Sequence, residues 1–410
     1  MADRVIRGIR QRFAPSAFNY RALRLLGPRL PRLTGGWMPW VGLDRYAPPP
    51  LPGPDWVRLR PVLSGLCGSD IALLTGKASA VLSPFASFPA VLGHEVVARI
   101  TETGPQVDGF RPGDRVVLDP LLGCQPRGLE EWCVRCAVGM PGLCLRTTEG
   151  AFAPAPMIGY SRDLPGGWSE EMVAHRSQLH RVPAELSDET AAMVEPFSVA
   201  LHAVLDDPYL RAGGWPILVI GGGALGLCTV AAIRMTSPEA EITLVARHPE
   251  QRRMGERLSA RVESDPMEAA VRWAGARRHG PLVGQDVLTG GFEAVYDCVG
   301  SRQSLDAALR VARARARVTI VGGPSVISDL DWTFVWTREL RIVGSYVYGL
   351  EISQQSHHTM DIAMSLLVGH PELPLGELVT HRFGLDDWRS AMRAALNHGK
   401  SGAIKVAFAP

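Results

Sequence analysis

The chain has 410 residues, of which 46% are hydrophobic and 20% charged, a composition typical of soluble globular proteins. Its length exceeds that of one ordinary hydrophobic core, so two domains are expected. The 43 basic and 41 acidic side chains leave a net charge of +2, which gives no overall field for binding nucleic acid. No apolar signal peptide begins the chain, and we predict a cytoplasmic protein whose seven cysteines stay reduced.

The N-terminal 55 residues are rich in Pro, Arg and Trp and end in the proline-rich run 47–54. We therefore predict an extended approach segment there rather than a domain. Short β-like runs follow at 56–63, 91–92, 96–100 and 115–118, and turn residues separate them. This part of the chain predicts a small, irregular, mostly β domain whose loops carry the chemistry.

The character of the sequence changes after about residue 210. Strands are predicted at 216–220, 241–246, 292–298 and 317–321, and helices at 225–235, 249–260 and 303–312. Such alternation indicates an α/β fold, a doubly wound parallel sheet covered on both faces. The uncharged run 212–233 is long enough for a membrane helix, but its glycines and proline assign it to this domain, so no membrane partner is predicted. The tail returns to mixed structure, and its last strand, 403–408, is expected to join the first domain.

Four of the seven cysteines crowd one short segment: Cys124, Cys133, Cys136 and Cys144. Four thiolates suit a tetrahedral Zn²⁺ ion at about 2.3 Å and leave no position open for chemistry. The segment therefore predicts a structural zinc lobe over 123–145. A second arrangement has three of the cysteines with Glu130 as the fourth ligand.

The loop that follows the first strand of the α/β region fits the pattern G-x-G-x-x-G. It consists of Gly221, Gly222, Gly223, Ala224, Leu225 and Gly226. Glycines at this strand–helix junction permit a tight turn and the close approach of a pyrophosphate to the helix N-terminus. The setting predicts dinucleotide binding.

The end of the second strand indicates which nicotinamide is bound. An NAD site usually places an acidic residue about 20 positions beyond the last glycine, to bind the ribose 2′-hydroxyl. Here Ala246 stands at that place, followed by Arg247 and His248, with Arg252 a turn later. Guanidinium groups are good partners for a 2′-phosphate, so we predict NADP(H) in preference to NAD(H).

A second, chemically different metal site is predicted from one cysteine, one histidine and one carboxylate. Cys67 and His94 lie in the β-rich part of the chain, and Glu195 precedes the α/β region. Such a three-ligand set leaves zinc an open fourth position, the arrangement of catalytic zinc. Each residue alone also fits an ordinary packing role.

These motifs, in this order, resemble the zinc-dependent medium-chain alcohol dehydrogenases, and in particular their polyol and threonine dehydrogenase-like branch. The elements are Cys67-Gly-Ser-Asp70, Gly93-His-Glu95, the four-cysteine lobe, Glu195-Pro and the late glycine loop. The resemblance implies a GroES-like catalytic domain over 1–205 and 352–410, with the lobe inserted. It implies a Rossmann domain over 206–351.

The resemblance also implies roles for individual residues. Cys67 and His94 would bind catalytic zinc together with Glu95 or Glu195; the sequence leaves this choice open. Asp70 would orient the histidine, and Ser69 would pass on the substrate proton. Two positions depart from the family pattern: Ala72 stands where many relatives end the proton relay on a histidine, and Cys124 lies farther upstream of the next cysteine than usual.

The function predicted from the sequence is a zinc-dependent oxidoreductase that interconverts an alcohol and an aldehyde or ketone. Its cofactors would be catalytic zinc, structural zinc and NADP(H), and its partners a small-molecule alcohol or carbonyl substrate and further copies of itself, as a homodimer or homotetramer. The alternatives are a zinc-free double-bond reductase of the same fold and a non-enzymatic nucleotide-binding scaffold.

Overall fold

The structure is a computed structural model that describes residues 4–13, 16–212 and 214–410. The chain forms two compact units. The first comprises the residues up to Glu195, together with Met360–Val368 and Gly376–Pro410. The second comprises Pro196–Thr359 and Gly369–Leu375. Within the described part of the chain, no helix is both long and apolar enough to cross a membrane.

The strands, in chain order, are β1 (Ile6–Gln11), β2 (Val41–Tyr46), β3 (Trp56–Gly65), β4 (Ala90–Val91), β5 (Glu95–Thr103), β6 (Arg115–Leu118), β7 (Met172–His175), β8 (Leu179–Arg181), β9 (Pro216–Ile220), β10 (Glu241–Val245), β11 (Arg261–Glu263), β12 (Arg277–His279), β13 (Val287–Thr289), β14 (Phe292–Asp297), β15 (Ala312–Ile320), β16 (Arg341–Gly344), β17 (Leu350–Glu351), β18 (His357–His358), β19 (Val379–Phe383) and β20 (Lys405–Phe408). The α-helices are α1 (Ala17–Leu26), α2 (Leu30–Leu33), α3 (Gly68–Leu74), α4 (Val134–Ala137), α5 (Asp188–Ala192), α6 (Val194–Leu205), α7 (Pro208–Ala212), α8 (Ala224–Thr236), α9 (Pro249–Arg257), α10 (Pro266–Trp273), α11 (Arg302–Val311), α12 (Thr333–Thr337), α13 (Thr359–Gly369), α14 (Trp388–Leu396) and α15 (His398–Ser401).

The main sheet of the first unit has the strand order β19-β20-β3-β5-β6-β8, and β7 also pairs with β3. The pairing is antiparallel except between β19 and β20. Apolar side chains of β3, β5, β6 and β7 form its core, including Leu59, Val96, Val116 and Met172. The last strand of the chain thus lies beside β3, and this arrangement brings the C-terminus to the candidate site.

Most of the N-terminal segment is folded, so the prediction of an extended approach segment was wrong for residues 6–11 and 17–46. β1 pairs with β2 and β4 in a separate sheet. Nε1 of Trp40 donates to the carbonyl of Leu74 at 2.9 Å, so the segment packs on the end of α3. Ile9 lies fully buried in the same core as Trp168. Apolar residues such as these outweigh the Pro and Arg content, and the run 47–54 has no helix or strand.

The second unit is a parallel sheet of strand order β11-β10-β9-β14-β15-β16. When the six strands of this sheet are numbered along the chain, their order across the sheet is 3-2-1-4-5-6, the order of a Rossmann fold. The central strands β9, β10 and β14 are mainly apolar because helices cover them, and Leu218, Val295 and Val318 are fully buried. The predicted fold class, a Rossmann sheet together with a mostly β domain, is confirmed. The strand order reverses between β9 and β14. The glycine loop lies at the carboxyl end of β9, where this reversal occurs.

Candidate functional site

The first turn of α3 carries three of the predicted site residues. β3 ends at Gly65, and Cys67 then forms the N-cap of α3. The backbone N–H of Cys67 donates to Oδ2 of Asp70 at 2.9 Å, which closes a capping box. Asp70 is buried, whereas Ser69 is exposed. The helix start therefore fixes Cys67 and Asp70 relative to each other and leaves the Ser69 hydroxyl accessible.

His94 and Glu95 come from the neighbouring strand. In the antiparallel register of β3 and β5, Glu95 stands opposite Gly65. Both His94 and Glu95 are buried. Ligand atoms of Cys67, His94 and Glu95 all lie within 4.8 Å of one another, so the strand pairing itself brings the three together. Glu195, in the first turn of α6, is buried but does not belong to this group.

A buried lysine that the sequence analysis did not identify faces Glu95. Nζ of Lys405 lies 2.5 Å from the Glu95 carboxylate, and the two side chains are 5% and 1% exposed. Their strands are separated by β3, and the contact crosses it at Gly65. A Cβ atom at Gly65 would lie 1.9 Å from Oε2 of Glu95, so a larger residue there would displace the carboxylate from this position.

The charge of Lys405 depends on this carboxylate. Burial alone would lower the pKa of Lys405, but the negative charges of Glu95 and Cys67 outweigh it and raise the pKa above its ordinary 10.5. A raised lysine pKa means that the ion pair contributes its full stability below pH 10.5. That contribution is lost only as the pH rises above this value. Lys405 is therefore a permanent cation under working conditions.

Asp70 also faces the histidine. Its Oδ1 lies 3.5 Å from Nδ1 of His94, and both groups are buried. Burial lowers the pKa of His94, but the charge of Asp70 overcomes this and raises the pKa well above its ordinary 6.5. A carboxylate at Nδ1 leaves Nε2 for a metal and strengthens the ring as a ligand.

Tyr160 is a further member of the site. Its phenol O–H lies within donating distance of Oγ of Ser69, at 3.1 Å, and of Oδ1 of Asp70, at 3.3 Å. The ring packs against His94 with centroids 5.6 Å apart. Burial, together with the charges of Asp70 and Cys67, raises the pKa of Tyr160 well above its ordinary 10.0, so the phenol keeps its proton.

The predicted lobe brings its four sulfur atoms together. Sγ of Cys124 lies 3.7 Å from Sγ of Cys144, which lies 4.0 Å from Sγ of Cys133. Four thiolates about 2.3 Å from a zinc ion would stand about 3.8 Å apart, so these separations suit a tetrahedral metal. All seven cysteines lie in the described part of the chain, and none of them forms a disulfide. Glu130 is exposed and lies outside the group.

Backbone N–H groups surround these sulfur atoms. Those of Cys136 and Leu145 lie 3.5 Å from Sγ of Cys133, and that of Arg146 lies 3.3 Å from Sγ of Cys144. Burial opposes ionisation of Cys133, but these donors overcome it and lower its pKa to about 6. Burial instead raises the pKa of Cys144 to about 11 and that of Cys136 further still, so of these three thiols only Cys133 is stabilised as the thiolate, the form that binds metal.

Arg127 lies fully buried within the lobe. Its five N–H groups donate to the carbonyl oxygens of Leu122, Glu149, Phe152, Ala153 and Ala155, at 2.6–3.5 Å. The guanidinium thus uses its whole donor set on backbone oxygens. Burial lowers the pKa of Arg127, while the thiolates of Cys144 and Cys124 oppose that shift.

In the second unit, the glycine loop has the geometry that its sequence predicts. Gly221 has φ of 110° after β9, and a Cβ atom at Gly226 would lie 1.7 Å from the carbonyl oxygen of Gly221. Gly223 is the N-cap of α8, and Ala224 and Leu225 form the helix's first turn. A Cβ atom at Gly222 would lie 2.6 Å from that of Ala246. The helix N-terminus is therefore open to a pyrophosphate.

Basic side chains follow the neighbouring strand β10. Arg247 is exposed directly beyond it, and His248 is the N-cap of α9. Arg252 lies on α9 and donates to the carbonyl of Ala246 at 3.3 Å. No acidic side chain stands at the end of β10, where an NAD site usually has one.

Comparison with known proteins defines the class of this chain. The family model described as alcohol dehydrogenase GroES-like domain matches residues 53–184, and the zinc-binding dehydrogenase model matches residues 224–367. The first match contains Cys67, His94 and the four-cysteine lobe, and the second begins within the glycine loop at residue 224. The chain belongs to the zinc-dependent medium-chain alcohol dehydrogenase family and is a nicotinamide-dependent oxidoreductase.

Individual relatives are distant but cover nearly the whole chain. It is 26% identical to an L-threonine 3-dehydrogenase from Anaeromyxobacter dehalogenans over 368 residues, which cover 89% of this chain and 94% of that protein. An L-threonine 3-dehydrogenase from Paraburkholderia phymatum is 27% identical over 370 residues, with 89% and 95% covered.

Solved structures share the fold. An NADP-bound zinc-binding dehydrogenase from Sinorhizobium meliloti superposes with a TM-score of 0.72 at 24% identity, covering 99% of this chain and 100% of that one. The 2R,3R-butanediol dehydrogenase from Bacillus subtilis gives a TM-score of 0.69 at 21% identity, with 99% of each chain covered.

Proposed function

We propose that this protein is a zinc-dependent alcohol dehydrogenase whose reaction centre is formed by Cys67, His94 and Glu95. The observation that carries the proposal is that a thiol, an imidazole and a carboxylate converge beside the exposed Ser69 hydroxyl, apart from the four-cysteine group. A mixed set of three ligands with an open fourth position is typical of catalytic zinc. A closed set of four thiols is typical of structural zinc.

The residues of the first unit fit a zinc ion. Nδ1 of His94 faces the Asp70 carboxylate at 3.5 Å, so Nε2 is the nitrogen left to bind the metal. We propose Cys67 and His94 as constant ligands and Glu95 as the third, because Glu95 rather than Glu195 lies with them. Lys405 would then compete with the metal for the Glu95 carboxylate and keep that ligand exchangeable.

Bound zinc would supply Lewis-acid activation of a substrate hydroxyl, and bound nicotinamide would accept hydride. The chain's own residues prepare these steps. Ser69 accepts the hydroxyl proton of the substrate, and Asp70 holds the imidazole of His94 in place. Ala72 offers no side-chain acceptor, so Ser69 passes its own proton to solvent water, which reaches this exposed hydroxyl.

We propose the second unit as the nicotinamide-binding domain, with the pyrophosphate at residues 221–226. Arg247 and Arg252, with His248 beside them, would bind a 2′-phosphate, which supports NADP(H) over NAD(H). The homologous L-threonine 3-dehydrogenases and the butanediol dehydrogenase suggest secondary alcohols and polyols as substrates. A cytoplasmic homodimer or homotetramer completes the proposal.

A substrate panel tests this function. Purified enzyme is expected to oxidise at least one of L-threonine, vicinal diols and sugar alcohols, as followed by nicotinamide absorbance. The Michaelis constant for NADP⁺ should be about tenfold or more below that for NAD⁺, because charge-assisted hydrogen bonds contribute about 1.5–3 kcal/mol. Chelation should abolish turnover and zinc should restore it. Stoichiometric NADPH binding without any turnover would instead support a non-enzymatic scaffold.

The lobe ligands are tested by zinc analysis of two variants. Cys124→Ser is expected to lower the zinc content from about two ions per chain to about one, because a serine hydroxyl is a poor replacement for thiolate at a structural site. Glu130→Gln, the matched control, should keep both ions. Loss of zinc from Glu130→Gln, with retention in Cys124→Ser, would assign the fourth ligand to the glutamate.

A further inference from the structure

The Ser69 hydroxyl needs a fixed orientation to serve a substrate. Serine has three staggered side-chain rotamers and a freely rotating proton. Ser69 is exposed at the start of α3, so packing alone does not hold its hydroxyl. Ala72, a turn later on the same helix, has only a methyl group. Whatever orients Ser69 must therefore come from another part of the fold.

Tyr160 comes from a distant segment and is itself held firmly. Its backbone N–H donates to the carbonyl of Met157 at 3.3 Å, and its own carbonyl accepts from the backbone N–H of Ser87 at 3.0 Å. Its ring rests on the buried imidazole of His94. The position of the phenol oxygen is thus set by backbone and ring contacts that do not involve Ser69.

The phenol oxygen lies between two acceptors. It is 3.1 Å from Oγ of Ser69 and 3.3 Å from Oδ1 of Asp70, so one O–H is shared between them. When Tyr160 donates to Ser69, the proton of Ser69 cannot point back at the phenol. It is then directed to whichever acceptor stands on the open side of the serine.

We propose that Tyr160 is a positioning residue: by donating to Oγ of Ser69 it fixes this oxygen where it accepts the substrate proton and turns the proton of Ser69 away from the phenol. The inference rests on the proposed function and adds a residue to it. Tyr160 would act only through Ser69, in place of any support from position 72. It would affect the turnover step more than substrate affinity, because the hydroxyl orientation matters when the substrate proton moves.

A double-mutant cycle tests this role, with Tyr160→Phe, Ser69→Ala and the double variant. Loss of one hydrogen bond contributes about 1–1.5 kcal/mol, so Tyr160→Phe is expected to lower kcat about tenfold, with KM changed less than about threefold. In the Ser69→Ala background the same change should have almost no effect, since the group on which Tyr160 acts is gone. Zinc content should stay that of the wild type, and Tyr46→Phe, a tyrosine on β2 away from the site, should leave kcat unchanged.

Two results would overturn the proposal. One is wild-type kcat in Tyr160→Phe; the other is an equal tenfold loss in the presence and absence of the Ser69 hydroxyl, which would show an independent structural role. The same four proteins are compared in thermal unfolding, which needs no turnover. Non-additive unfolding temperatures there would retain the Tyr160–Ser69 coupling even if no alcohol is oxidised and the proposed function fails. Additive shifts of the unfolding temperature, together with no alcohol oxidation, would contradict both the Tyr160–Ser69 coupling and the proposed function.

Discussion

Cys67→Ser is expected to lower kcat/KM for alcohol oxidation at least about a thousandfold. Lewis-acid activation contributes several kcal/mol of transition-state stabilisation, and each 1.4 kcal/mol is about tenfold in rate. The substitution removes the thiolate but keeps the size and the N-cap geometry of α3, since serine is itself a good N-cap. The first unit should therefore stay folded and lose only one zinc ion per chain.

The matched control is Cys228→Ser, the same atomic change in a buried cysteine of α8 outside both cysteine-containing groups. It is expected to keep both zinc ions and kcat/KM within about threefold of the wild type. Zinc analysis and rate measurements on the two variants together test whether Cys67 is a ligand of the catalytic zinc. If Cys67→Ser retained rates within tenfold of the wild type, the thiol would not belong to the reaction centre.

In the zinc-free protein, Lys405→Met is expected to lower the stability of the first unit by about 3–5 kcal/mol, because it leaves the buried Glu95 carboxylate without its cation. For a unit of this size each kcal/mol shifts the unfolding temperature by about 2–4 °C, so a fall of roughly 6–20 °C is expected in thermal unfolding. Lys400→Met provides the control, since Lys400 is exposed and lies only five positions earlier. It should change the unfolding temperature by no more than about 2 °C.

Glu95→Gln combined with Lys405→Met distinguishes an ion pair from simple packing. Removing both charges should recover most of the lost stability, because no uncompensated charge remains in the interior. A double variant as unstable as Lys405→Met would mean that the lysine stem, and not its charge, supports β20.

The Rossmann unit could be predicted closely because its information is local. β9, β10 and β14 are continuous apolar runs, and each lies within a residue of its predicted bounds. β15 was harder and begins earlier than predicted, at Ala312. Its first half alternates alanine and arginine and carries positive φ at Arg315, so no apolar run marked it.

Only part of the candidate active site could be predicted from the sequence. Cys67, His94 and Glu95 sit in short motifs and could be proposed from the sequence. Tyr160 and Lys405 could not, because their partners are distant in the chain and no local period encodes the contact. Lys405 alone left a trace, as a lone charge in the apolar run 403–408.

The buried guanidinium of Arg127 also has a consequence for how the lobe survives a change of redox conditions. The guanidinium donates to the carbonyl oxygens of both Leu122 and Ala155, so it links the chain segments before and after the four cysteines. A cross-link of this kind restricts the loop as a disulfide would, but it has no sulfur to oxidise or reduce. Oxidants that attack the thiolates would thus release the metal, but the hydrogen bonds of Arg127 to Leu122 and Ala155 would remain. The cysteines would then remain near one another, ready to take up zinc again once reduced.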